Sequence, residues 1–68
     1  MRYLVVIEKA GENFSAYVPD LPGCIATGDT REQVRAAIRE AAAFHIAGLK
    51  KDGLPLAEPQ TAIDYVEA

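Results

Sequence analysis

Any chemistry in this chain would rest on few groups. His45 is the only imidazole and Cys24 the only thiol among 68 residues. A histidine serves as a general base when it reaches a substrate proton, and a cysteine attacks when a nearby cation lowers its pKa. Helical spacing puts His45 near the middle of an apolar stripe, where a hydrogen-bonded core side chain is expected. Cys24 follows a turn with no basic residue beside it and reads as a small buried hydrophobe. Glu8, Asp20, Asp29 and Asp64 could serve a metal-dependent nuclease only by converging on one point. They fall on different elements, and Asp20 and Asp29 have simpler uses in turns, accepting nearby backbone N–H groups.

Structural zinc needs about four ligands, more than one Cys and one His provide, and one Cys excludes an internal disulfide. Glycines 23, 28 and 53 stand singly and match no phosphate loop. Arg35 and Arg39, four apart, are expected on a solvated helix face. No catalytic residue, metal or cofactor is predicted, so the chain is expected to act by binding and not as an enzyme.

Composition narrows the partner. Ten acidic residues against seven basic ones give a net charge of −3, which disfavours the phosphate backbone of nucleic acid and favours a basic protein. An apolar share of 50% fits a globular chain. No apolar run approaches the roughly 20 residues that span a bilayer, and the N-terminus lacks the order of a signal peptide. A cytoplasmic protein without a membrane role is expected. The length suits one domain, residues 1–68, and a domain so small gains from self-association as a dimer or tetramer.

The elements that would position these groups follow from local pattern. Arg2–Lys9 reads as a strand, apolar on both faces, with Tyr3, Val5 and Ile7 on one side and Leu4 and Val6 on the other. A turn over residues 10–13 leads to a second strand carrying Phe14, Ala16 and Val18, and so to a hairpin. Pro19, Pro22 and Gly23 interrupt the sheet, and Cys24–Thr27 can resume it. Thr30 and Gln33 form a capping box for a helix from Arg31. Val34, Ile38, Ala41, His45 and Leu49 make its sheet-facing stripe, with Glu32, Arg35, Arg39, Glu40 and Lys50 opposite. Asp52-Gly53 ends the helix, Pro55 and Pro59 extend the chain, and Ala62–Val66 can form a last short strand. The fold class predicted is α+β, a small antiparallel sheet with one helix on one face. Leu4, Val6 and Tyr17 are expected on the uncovered sheet face, as an oligomer or partner interface.

Tyr17-Val18-Pro19-Asp20-Leu21-Pro22-Gly23-Cys24, then Thr27-Gly28-Asp29-Thr30, and later Asp52-Gly53-Leu54-Pro55-Leu56 with Glu58-Pro59, strongly resemble the HicB-like antitoxin family. The resemblance implies a partial ribonuclease H-like fold of β-β-β-α-β order without that fold's catalytic carboxylates. It also implies a partner, a small basic HicA-like ribonuclease toxin that cleaves mRNA, which the domain would sequester. Longer members carry a C-terminal DNA-binding segment, which has no counterpart in these residues. The alternative reading is a stand-alone oligomeric interaction module with no toxin.

Overall fold

The structure, a computed structural model, describes residues 1–68. Three strands, β1 (Val6–Ala10), β2 (Asn13–Tyr17) and β3 (Ile25–Gly28), precede one helix, α1 (Arg31–Lys51). The sheet is antiparallel in the order β1-β2-β3. Gly11, at φ +67°, lets a two-residue turn join β1 to β2. Strand pairing places Ile7, Ala16 and Ala26 in one inward row and Val6, Tyr17 and Ile25 in the neighbouring outward row.

The core is thin. Six residues are buried: Ala16, Val18, Leu21, Cys24, Val34 and Ile38. Leu21 and Cys24 reach it because the proline loop folds back on itself. The Val18 N–H donates to the Cys24 carbonyl (3.1 Å), Leu21 N–H to Val18 (3.1 Å) and Cys24 N–H to Leu21 (3.0 Å). These three bonds close the loop although Pro19 and Pro22 bring no N–H.

This loop also decides the strand limits. With Val18 donating to Cys24 on the β3 side and Pro19 bringing no N–H toward β1, β2 pairs with β1 no further than Tyr17. The first strand therefore starts at Val6, not Arg2. The third runs one residue later than predicted, from Ile25 to Gly28.

The Thr30 hydroxyl accepts the Gln33 N–H at 3.1 Å, and Gln33 Oε1 accepts the Asp29 N–H at 3.0 Å. That reciprocal bond reaches one residue further back than a capping box. Gly28 touches the first turn of α1 so closely that a Cβ there would lie 2.7 Å from the Val34 nitrogen. The helix ends in a Schellman pattern, Gly53 N–H to Lys50 carbonyl (3.1 Å) and Leu54 N–H to Leu49 carbonyl (2.9 Å), with Gly53 at φ +69°.

From its start at the end of β3, α1 lies over β3 and β2 and barely reaches β1. Its 21 residues span about 32 Å, whereas a five-residue strand spans about 17 Å. The C-terminal half consequently overhangs the sheet. Val34 and Ile38 are buried, Ala41, Ala42 and Ile46 pack partly against the core, and Phe44 is 84% exposed. His45 sits on the overhang, half-exposed. The expected core histidine is thus corrected, because the sheet ends before it.

No strand forms over Ala62–Val66, so the closing β of the predicted β-β-β-α-β order is missing and the observed order is β-β-β-α. Ile63, Tyr65 and Val66 are exposed, with no ladder partner. The segment before it is tied down by Asp20. Its carboxylate accepts N–H bonds from Thr61 (3.0 Å) and Gln60 (3.1 Å) and the Thr61 hydroxyl (2.9 Å). Asp20 serves the tail 41 residues away, not its own turn as expected. The Tyr3 hydroxyl donates to the Ala57 carbonyl at 2.6 Å and fixes the same stretch.

Two glycines should respond oppositely to alanine. Gly28→Ala forces backbone atoms apart and should lower stability by about 1–3 kcal/mol, or roughly 5–20 °C in Tm. Gly48→Ala, inside α1 with nothing within 4 Å of the added carbon, should raise stability by about 0.5–1 kcal/mol. Calorimetry on both variants reads the contrast.

The bond from the Thr61 N–H, opposed by desolvation and reinforced by the Thr61 hydroxyl and the Gln60 N–H, holds the Asp20 pKa below its ordinary value. A folded pKa below the unfolded one means that the clamp is complete at neutral pH and is lost as pH falls through the carboxylate range. Amide exchange at Gln60 and Thr61 should accelerate on acidification in the native chain. In Asp20→Ala it should already be fast at neutral pH.

Candidate interaction surface

One sheet face carries α1 and the other carries nothing. On the open face, Val6, Tyr17 and Ile25 stand side by side across the three strands. Val6 is half-buried, Tyr17 is 40% exposed and Ile25 72% exposed. The next outward row is polar: Glu8, Ser15 and Thr27. The surface therefore grades from apolar at one end of the sheet to hydrophilic at the other.

Of the residues expected here, Val6 and Tyr17 are direct cross-strand partners. Leu4 lies two residues before Val6, half-buried, where residues 2–5 meet Thr61, Ala62 and Ile63. It borders the row without belonging to it. Ile25 was missed, although its signal was present in the sequence. With Cys24 directed inward, alternation in the third strand turns Ile25 outward.

The reactive groups remain apart. Cys24 is 3% exposed, and burial pushes its thiol pKa up, away from the thiolate that attacks. Glu8 lies on the open face, Asp20 binds the tail, and Asp29 precedes α1. Asp64 accepts the N–H of its neighbour Tyr65 at 2.7 Å. No three His, Cys, Asp or Glu side chains gather at one point. No helix is long and apolar enough to cross a membrane.

Arg35 and Arg39 are exposed, as expected of a solvated helix face, and they also border a groove. Because α1 is displaced from β1, the inward side chains Tyr3, Val5 and Ile7 stay partly uncovered and floor a groove of about 650 Å³. Arg31, Arg35 and Arg39 line its helix side together with Ile38, Ala42, Ala43 and Ile46.

These features define a small α+β domain with a thin core and an apolar sheet face left open. Comparison with known proteins identifies the family. Residues 3–68 match the HicB-like antitoxin of bacterial toxin–antitoxin systems, and the chain belongs to that family.

A 14.9 kDa protein from the rep-hol intergenic region of Haemophilus phage HP1 is 39% identical over 66 residues, covering 97% of this chain and 50% of its own length. The chain thus spans about half of that relative. A UPF0150 protein of Thermoplasma acidophilum is 38% identical over 52 residues, 75% of each chain. Another, from Helicobacter pylori J99, is 31% identical over 58 residues, 85% of this chain and 81% of its own. Among solved structures, a chain of the HicA3 and HicB3 toxin–antitoxin complex superposes with a TM-score of 0.73 at 37% identity. The match covers 88% of this chain and 70% of that one.

Proposed function

We propose that this domain neutralises a small basic HicA-type ribonuclease toxin in the cytoplasm by covering it, without catalysis of its own. The observation that carries the reading is the Val6–Tyr17–Ile25 row, an apolar face with no cover, in a chain of an antitoxin family. Its likeness to a chain of a toxin–antitoxin complex supports the same reading. Tyr17 supplies a wide, stiff side chain of the kind that anchors interfaces, with Ile25, Val6 and Leu4 as its apolar surround. A net charge of −3 suits a basic partner and speeds encounter, while apolar contact sets residence time. The three strands and helix are the front of a ribonuclease H-like frame, which a strand beside the open edge of β1 would continue.

A second reading is a stand-alone oligomeric module, without a toxin, whose open sheet face is adapted to another protein. The thin core of six buried residues favours its oligomeric part. Pull-down separates the two, since recovery of an unrelated partner with no ribonuclease supports the second.

Co-expression of this chain with a HicA-type toxin should restore growth. Ile25→Asp should leave folding within about 0.5 kcal/mol, because the side chain is largely exposed. It should weaken toxin binding by roughly 10–100-fold and abolish rescue. Full rescue by this variant would remove the open face from the interface. Failure of the native chain to rescue would remove the antitoxin role.

A further inference from the structure

Arg31, Arg35 and Arg39 repeat at four-residue intervals, so three of the chain's seven basic residues line one groove in an acidic protein. Like charges at that spacing weaken a helix. Within α1 only Glu32, three residues before Arg35, offers any of them an acid at pairing distance. The corresponding neighbours of Arg39 are Arg35, Ala36, Ala42 and Ala43. Arg31 rests over the Phe14 ring, 5.9 Å from its centroid. The groove thus joins an apolar floor of Tyr3, Val5 and Ile7 to a helix wall on which three guanidinium groups stand beside apolar side chains. Beside it runs the free edge of β1, whose backbone can pair with an extended segment.

The fitting occupant is an extended stretch that mixes apolar side chains with carboxylates, since guanidinium groups bind carboxylates in paired hydrogen bonds. Residues 63–67, Ile-Asp-Tyr-Val-Glu, have that make-up. Their apolar members are uncovered: Ile63 is 66%, Tyr65 85% and Val66 92% exposed. The chain's own copy is held outside the groove, because Asp20 fixes residues 60 and 61, and residues 61–63 border a separate pocket with residues 2–5. Tyr3 and Val5 border both that shelf and the groove, so the tail is delivered to the groove's rim.

We infer that the groove receives residues 63–67 of a second copy, two chains exchanging tails about a two-fold axis. Asp64 and Glu67 face Arg35 and Arg39 of the other chain, and Ile63, Tyr65 and Val66 gain the cover that the thin core cannot supply. A two-fold exchange makes both contacts at once. The inference is independent of any toxin and uses a face of the sheet opposite the Tyr17 row.

Charge reversal on the full chain tests it, read by sedimentation velocity at micromolar concentration. The native protein should be a dimer. Arg35→Glu with Arg39→Glu, and separately Asp64→Lys with Glu67→Lys, should each weaken self-association by at least about tenfold. An equimolar mixture of the two variants should restore the dimer, because each tail then meets a groove of opposite charge. Circular dichroism checks the fold, and the tail variant alters only exposed residues. A monomeric native chain, a dimer indifferent to both reversals, or folded variants that stay monomeric when mixed would overturn the inference.

Discussion

The contact between Gly28 and the first turn of α1 sets the geometry of the whole domain. A residue without a side chain at the end of β3 lets Val34 come against the sheet, and the Thr30 and Gln33 bonds fix the direction in which the helix leaves. From that fixed origin α1 runs back along β3 and β2 and continues for about twice the length of the strands. Three surfaces follow from this one placement: an open outer sheet face, an uncovered inner face of β1, and a helix end with no sheet beneath it. A domain that buries six residues has little left with which to close them.

Local signals were legible where the chain carries its own punctuation. The hairpin, the proline loop, the Thr30 cap, the Gly53 terminus and the helix between them are all encoded by residues whose backbone limits are intrinsic. The outward position of Val6 and Tyr17 followed from alternation alone. What could not be read depends on distances between elements. The length of the first strand is decided by where Pro19 stops its partner, and the exposure of His45 by how far the sheet extends. The link from Asp20 to Thr61 crosses most of the chain and leaves no mark in local pattern. The place of Arg35 and Arg39 at a groove reflects the sideways shift of α1, which helix periodicity does not contain.

The arrangement also explains why reactive residue types here yield no reactive site. Cys24 sits in the core as a small apolar filler with its thiol pKa raised by burial, and the carboxylates stand on separate elements. The side chains that are concentrated are apolar ones, on an outer face, and arginines, along an inner groove. The chain belongs to the HicB-like antitoxin family, and the function proposed above would use that distribution through complementarity of surface.

The proposal that the open sheet face is where a toxin sits is tested most directly by an NMR titration of the isotope-labelled chain with a HicA-type toxin. The account predicts saturable shifts at Val6, Tyr17 and Ile25, while Glu32 and Glu40 on the exposed side of α1 stay unmoved. Shifts confined to α1, with the three strand residues unchanged at saturation, would contradict it.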